Sequence, residues 1–379
     1  MRVLLLNKRA PFEGRGAEQV IWKLGKRFAE AGHRVQFFCP TPSDDVQIPD
    51  VSGVDFEFVE TSSEPTRGMI EFFLRGPMQY RKAYRSLQPD VVYDNPSPFP
   101  FHAAHLVGDV PVINKVHAVY RSYAFDCKNH PLVKVGTILG EDSYRLFRGE
   151  HFVTNSVSTA TRLKWLVNTN QNELVANPIG IDADNFSFLP PDESKRVLTV
   201  SKLSPRKRIG DLLRAWVAVE ENYPGARLTI AGSGPLEADL HSLRGRLELH
   251  RVNFEGFVSE SRKHELLQQA AVFAAPTLYE GFGLSVLEAM ASGSTVVTSD
   301  TWGVKDFVEH GENGLTAPPK SPEAFATQLC HVLKSVDERK MMARAGRATA
   351  ETYSMNKSLD RELNYLESVY SQRRVQSSS

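Results

Sequence analysis

Lys202, Arg206, Lys207 and Arg208 place four cations within seven residues. They follow the apolar run 196–200, so they fall in a loop leaving a strand. Such a cluster can neutralise a diphosphate and stabilise it as it departs with developing charge. It reads equally as a solvated basic loop. The segment 276–290 is more specific. Gly281 and Gly283 stand at a helix start, where backbone N–H groups approach an anion and the helix dipole favours phosphate. Glu288 falls about one turn into that helix, where a carboxylate can accept both hydroxyls of a ribose. Glu280, in the loop, can meet the hydroxyls of a transferred sugar. The bland alternative is a glycine-rich turn beside an ordinary surface glutamate. Gly232-Ser233-Gly234-Pro235 ends another strand, and alone it reads as a tight turn.

The first half offers less. Gly14-Arg15-Gly16 opens the first helix and can contact phosphate or sugar. It is not GxGxxG, and the second strand closes on Phe38-Cys39-Pro40 without an acidic residue, which argues against an NAD-dependent oxidoreductase. His117 follows a strand and reads either as an active-site group or as a structural histidine. Asp182-Ala183-Asp184 has the DxD spacing of some metal-dependent transferases, but no further ligands cluster around it, so it reads as coincidental. P-loop, HExxH and GxSxG patterns are missing from the sequence, which removes the commonest NTPase, zinc protease and α/β-hydrolase readings.

The elements that must position these residues alternate. Strand-like runs at 3–6, 35–38, 90–93, 110–114 and 151–154 are followed by 196–200, 227–231, 272–275 and 295–298. Helical spacing begins at Ala17 and recurs at 209–219, 284–291 and 322 to about 354. This is doubly wound α/β architecture with parallel sheets, in which ligands bind beyond the carboxyl ends of strands. A length of 379 residues exceeds what one core supports. The expected division is an N-terminal Rossmann-like domain at 1–185 and a C-terminal one at 186–355. A C-terminal helix at 356–379 then packs back on the N-terminal domain and ends in a frayed tail from Gln372.

Lysine plus arginine equals aspartate plus glutamate at 45 each, so no global charge draws nucleic acid. Cys39, Cys127 and Cys330 lie far apart, which fits a reducing compartment rather than a disulfide framework or a structural zinc site. The apolar run at the N-terminus is too short for a signal peptide core or a membrane span, so the expected location is cytoplasmic.

Over nearly its whole length the chain resembles glycosyltransferase family 4, the glycosyl transferases group 1. Glu280-Gly281-Phe282-Gly283-Leu284 through Glu288 looks like the family's E-x7-E signature. Gly232–Pro235 and the Asn177–Asp182 segment match secondary landmarks, and Arg15-Gly16-Ala17-Glu18 looks like its Gly-Gly-Ala-Glu element with arginine for the first glycine. The resemblance implies a GT-B fold, two Rossmann-like domains with parallel sheets facing across a cleft, the first on the acceptor side and the second on the donor side, and transfer with retention of anomeric configuration. It gives Glu288 to the ribose, Glu280 to the donor sugar, the backbone of Phe282, Gly283 and Leu284 to the phosphates, and Lys207 to the diphosphate. Gly16 joins the donor site, Phe257 lies in the loop that meets the base, and His117 matches the active-site histidine. Lys202 occupies a position usually held by arginine. It keeps the charge and loses the planar fork, leaving Arg206 or Arg208 to compensate.

The implied reaction is front-face substitution without an enzyme nucleophile. The leaving phosphate helps to deprotonate the acceptor hydroxyl, and cations with a helix N-terminus take the place of a metal. No cofactor or obligatory metal is expected. The donor is a UDP- or GDP-sugar, and the acceptor a glycan, a lipid-linked molecule or a small molecule. The segment 67–85 mixes bases with aromatics. It can touch an anionic membrane surface at the inner face, or it is a core helix with a solvated basic face whose pattern Pro77 interrupts. Tyr120 to Tyr123 and Trp302-Gly303 are candidates to stack on sugars. The alternatives are a GT-B nucleotide-sugar epimerase or phosphorylase, and a non-catalytic nucleotide-sugar binding protein.

Overall fold

The computed structural model describes residues 1–13, 16–44, 46–62, 64–95, 101–121, 131–147 and 150–378. It divides into two compact units. One holds the described residues up to Pro178 together with Asn356 onward, the other Ile179–Met355.

In the first unit, strands β1 (Arg2–Asn7), β2 (Arg34–Pro40), β3 (Val54–Val59), β4 (Val91–Asn95), β5 (Val112–Val116), β6 (His151–Thr154) and β7 (Glu173–Ala176) form one parallel sheet. Its order is β3-β2-β1-β4-β5-β6-β7. Helices α1 (Ala17–Glu30), α2 (Pro65–Leu87), α3 (His102–Leu106), α4 (Pro131–Asp142) and α5 (Val157–Leu163) connect them. In the second unit β8 (Arg196–Val200), β9 (Arg227–Ala231), β10 (Val252–Gly256), β11 (Val272–Ala275), β12 (Thr295–Ser299) and β13 (Gly314–Ala317) pair as β10-β9-β8-β11-β12-β13. Its helices are α6 (Ile209–Asn222), α7 (Glu237–Arg246), α8 (Glu260–Gln269), α9 (Leu284–Ser292), α10 (Pro322–Lys334) and α11 (Val336–Thr352). Both sheets are α/β and Rossmann-like, and each reverses its strand order once, at β1/β4 and at β8/β11.

Helices on both faces explain why the strands read as apolar runs rather than alternating ones. Leu4 and Leu5 of β1 point to opposite faces, and both are fully buried. In the second unit Leu212, Leu213, Trp216 and Val219 of α6 pack with Leu228 and Ile230 of β9 and with Phe325, Leu329 and Val332 of α10. Each such side chain contributes about 1.5–3 kcal/mol of burial free energy.

Three expectations need correction. Pro77 does not interrupt α2, which runs unbroken for 23 residues. The proline removes one backbone hydrogen bond at a cost of about 3 kcal/mol. Burial of Phe72, Tyr80, Ala83 and Leu87 at helical spacing offsets it. Residues 179–185 belong to the second unit rather than the first. The Ile181 amide donates to the Tyr353 carbonyl at 2.9 Å, and the Arg347 guanidinium donates to the carbonyls of Ala183 (3.1 Å) and Phe186 (2.8 Å). The last helix, α12 (Met355–Ser378), continues through the segment expected to fray.

From Asn356 onward α12 packs on the first unit. Asp360 meets Arg27, Glu362 meets Lys115, and Glu367 meets His33. Among the described residues no helix is long and apolar enough to cross a membrane.

Candidate active site

In a doubly wound sheet the loops on either side of the strand-order reversal diverge and leave a crevice. In the second unit those loops follow β8 and β11, and they carry the cation cluster and the first glutamate. They are stitched together. The Leu278 amide donates to the Arg206 carbonyl at 2.9 Å. The Arg206 Nη1 donates to the Tyr279 carbonyl at 2.7 Å and to Glu280 Oε2 at 2.8 Å. Lys207 Nζ reaches Glu280 Oε1 at 2.5 Å, and the Thr277 hydroxyl donates to the same oxygen at 3.0 Å.

Glu280 is therefore a buried carboxylate with both oxygens satisfied. Burial works against its charge, and Arg206 and Lys207 together overcome it, holding the carboxyl down to about 2. Burial in turn pushes the Lys207 ammonium below its ordinary value. Arg208 turns away in a two-bond pair with Asp211 at 2.7 and 3.0 Å. Lys202 is exposed. The solvated-loop reading thus fails for Arg206 and Lys207, which are held on the buried Glu280. Arg206 is the one of the two candidate arginines that stands in the cluster with Glu280 and Lys207.

Gly283 opens α9 in the left-handed region at φ +107° and supplies no side-chain cap. Glu288, in the second turn of that helix, lies 3.0 Å from Lys263 Nζ of α8. Burial raises its carboxyl above the ordinary value, and Lys263 opposes the shift. Phe282 is buried against Phe307 and Tyr353, with ring centroids at 5.2 and 5.5 Å. Its side chain is core, so only its backbone is available to a ligand. Leu284 is half-buried, Phe257 is exposed beside Gly256, and Trp302 is partly exposed. Gly232 and Gly234 do more than turn the chain. A Cβ on Gly232 would stand 1.9 Å from the Ser201 carbonyl oxygen, and one on Gly234 would stand 2.4 Å from that of Leu203. Their absence of side chains lets the β9 loop lie on the β8 loop.

In the first unit the carboxyl edge of the sheet carries a polar chain. Asn7 ends β1 and Asn95 ends β4, the strands at the reversal, and their side chains meet at 2.7 Å. His117 follows β5. Its Nε2 lies 2.6 Å from Asn95 Oδ1 and its Nδ1 lies 3.4 Å from Asn155 Nδ2, beyond β6. Burial, with Lys115 and Lys8 nearby, pushes the imidazole down to about 3, so it is neutral. Gly16 precedes α1 at φ +62°. The amides of Tyr120 and Arg121 both donate to the buried Glu141 carboxylate of α4, that of Arg121 at 2.9 Å. Gly14, Arg15, Tyr123 and Cys127 lie outside the described residues.

The structure thus brings Arg206, Lys207 and Glu280 together, and sets Glu288 on the helix that the Glu280 loop leads into. It adds residues that the sequence did not single out: Thr277, Lys263, Asn7, Asn95, Asn155 and Glu141. Asn7 and Asn95 had one signal, a polar residue ending each strand at the reversal. Glu141 had none, because 20 residues separate it from Arg121. Among the described residues no three His, Cys, Asp or Glu side chains are placed to hold a metal ion.

Comparison with known proteins bears on the family and the fold. The family model for glycosyl transferases group 1 matches residues 180–349, and that for Glycosyltransferase Family 4 matches residues 14–185. The chain belongs to glycosyltransferase family 4. An uncharacterised glycosyltransferase of Methanocaldococcus jannaschii is 38% identical over 143 residues, a match spanning 38% of this chain and 36% of that protein. Glycogen synthase of Mycobacterium tuberculosis is 26% identical over 372 residues, covering 92% of this chain and 89% of that one. Sucrose-phosphate synthase from Thermosynechococcus elongatus superposes over all of both chains with a TM-score of 0.84 at 19% identity. Anabaena HepE, in complex with UDP and glucose, gives 0.72 at 19% over 97% of this chain and 100% of that one. These likenesses show the fold of this family 4 glycosyltransferase to be GT-B.

Proposed function

We propose that this glycosyltransferase moves a hexose-type sugar from a UDP- or GDP-sugar to a hydroxyl acceptor with retention of configuration. The observation that carries the reading is the Arg206–Lys207–Glu280 cluster beside the uncapped start of α9, at the reversal of the second sheet. Lys202, Lys207 and the α9 amides bind the diphosphate, where positive charge and a helix N-terminus stabilise a departing anion. Glu288 accepts the ribose hydroxyls and Glu280 those of the transferred sugar. HepE, which shares the fold, is known in complex with UDP and UDP-glucose, and this supports a nucleotide-sugar donor here.

The departing phosphate takes the acceptor's proton, and Lys202, Lys207 and the start of α9 stabilise the diphosphate in place of a metal, so no obligatory divalent ion is expected. Calorimetry against UDP, GDP, ADP and their sugar conjugates, with and without EDTA, tests the donor. Binding of one diphosphate that persists in EDTA and is lost in Glu288→Ala supports the reading. Binding of none, or of NAD instead, removes it. The anomeric configuration of the product, read by NMR, tests retention. Release of donor sugar without an acceptor, or consumption of phosphate, would favour an epimerase or phosphorylase.

We also propose that the acceptor is lipid-linked and is met at a membrane surface. Ile70, Leu74 and Met78 stand four residues apart on α2 and are 52%, 73% and 74% exposed. Arg67, Arg75, Arg81, Lys82 and Arg85 accompany them on the same helix. An apolar stripe among cations suits an anionic interface. Sedimentation with vesicles containing acidic phospholipid tests it. Binding lost in Leu74→Glu supports the contact, and absence of binding to either vesicle charge removes it.

A further inference from the structure

The polar chain on the first sheet has only one direction in which its hydrogens can run. It is anchored at a backbone carbonyl, that of Arg9, which accepts and cannot donate. The Asn7 side chain lies 2.7 Å from that oxygen, so its NH₂ group must face it and its Oδ1 must face away. Oδ1 of Asn7 then requires the NH₂ of Asn95 across the 2.7 Å contact. That leaves Asn95 Oδ1 facing His117 at 2.6 Å, and an amide oxygen accepts only from a protonated Nε2.

The remaining ring nitrogen, Nδ1, faces Asn155 Nδ2 at 3.4 Å, a longer contact in which the amide donates. The amide orientations of Asn7 and Asn95 both follow from the Arg9 carbonyl, which can only accept. We infer that Asn95 is a positioning residue, which fixes His117 as the neutral Nε2–H tautomer and leaves Nδ1 as a hydrogen-bond acceptor.

The charged surroundings favour the same state. Lys115 of β5 and Lys8 beyond β1 both oppose a second proton on the ring. The Glu362 carboxylate of α12 is occupied by Lys115, Tyr93 and Asn177, and the Asp94 carboxylate accepts from the Phe101 amide at 2.9 Å. Neither faces the imidazole as a hydrogen-bond partner.

The consequence for transfer rests on the function proposed above. If His117 meets a substrate hydroxyl, it does so by accepting from it through Nδ1, exchanging a 3.4 Å contact for a shorter one. It neither donates nor removes a proton, and the acceptor's proton is left to the departing phosphate.

The test uses the full chain labelled with ¹⁵N-histidine, with long-range ¹H–¹⁵N spectra assigned by the disappearance of one ring in His117→Gln. The expected wild-type pattern is one protonated nitrogen, Nε2, and one bare nitrogen, Nδ1, unchanged from about pH 5 to about pH 8. A protonated Nδ1 with bare Nε2, or a doubly protonated ring at neutral pH, overturns the inference. In Asn95→Ala the tautomer ratio should shift on the order of tenfold toward Nδ1–H, the weight of one hydrogen bond. An unchanged ratio in a folded variant also overturns it. If that variant does not fold, the wild-type spectrum decides alone. In Asn95→Asp the carboxylate should hold a second proton on the ring, and the pH profile of turnover should gain an acidic limb absent from wild type. The spectra need no substrate, so absence of nucleotide binding would end the proposed function and leave the tautomer assignment standing.

Discussion

Lys115 and Glu362, 247 residues apart in sequence, meet at 2.6 Å inside the first unit, with side chains 1% and 3% exposed. Asn177 donates to the same Glu362 oxygen at 2.8 Å and to the Ser358 carbonyl at 2.9 Å, and the Tyr93 hydroxyl donates to the other carboxylate oxygen. This is how α12 is fastened to the sheet. Removing one partner leaves a buried charge uncompensated, at about 3–5 kcal/mol. Glu362→Ala should therefore lower the thermal midpoint strongly. Lys115→Met with Glu362→Leu should recover most of the loss, because two apolar groups need no partner. Equal loss in single and double variants would show that the pair itself is not what fastens the helix.

Variants at Glu280 and Lys207 should separate binding from turnover. Its carboxylate touches two cations, and Glu280→Gln removes the charge while releasing Lys207 for a diphosphate. Affinity for the nucleoside diphosphate should stay within about threefold, while turnover falls by roughly 10²-fold or more, as for a lost transition-state contact. Lys207→Ala should do the reverse first, weakening the diphosphate by about 10-fold to 100-fold, the weight of a charge-assisted hydrogen bond.

The same carboxylate predicts an acid limb in stability. Its folded pKa of about 2 lies below the ordinary carboxylate value, so the contribution is full above about pH 4.5 and is lost as pH falls through about 2. The size is roughly 3 kcal/mol. Denaturation measured between those limits should show a shallower acid loss in Glu280→Gln than in wild type. Identical slopes would mean that the two cations do not hold the carboxylate ionised.

Lys202 is exposed, so Lys202→Ala should change stability by less than about 0.5 kcal/mol. Its proposed contact with the diphosphate predicts a fall in turnover of about tenfold or more, restored or exceeded by Lys202→Arg, whose fork reaches two phosphate oxygens. Unchanged turnover in Lys202→Ala would assign the leaving-group charge to Lys207 and α9 alone.

Gly232 sits at φ +132° with no room for a Cβ beside the Ser201 carbonyl. Gly232→Ala should displace the β8 loop and cost on the order of 1–3 kcal/mol through backbone strain, with nucleotide affinity falling in parallel. Crystals of the variant with an unmoved β8 loop would contradict this.

The sequence by itself determined the α/β alternation, because strands covered on both faces must be apolar throughout and helices must show a stripe. It also singled out the candidate ligand loops, since glycines, cations and glutamates fall just beyond strand ends at 201–208 and 276–288, and those ends are fixed by local pattern. The E-x7-E spacing, with Gly281 and Gly283 inside it, made the family legible.

Partnership across distance was not legible. Nothing local says that Arg206 rather than Arg208 faces Glu280, since only the left-handed backbone at Arg208 and the position of Asp211 turn one side chain away. Phe282 stands inside the signature, yet its ring belongs to the core with Phe307 and Tyr353. Pro77 reads as a helix breaker by local rules, and burial of the stripe from Phe72 to Leu87 outweighs it. His117 could be named from sequence, but its protonation state could not. That depends on Asn7, Asn95 and Asn155 arriving at the carboxyl ends of three other strands. Hydrogen-bond direction and desolvation are properties of neighbours in space, and only the folded sheets decide which residues are neighbours.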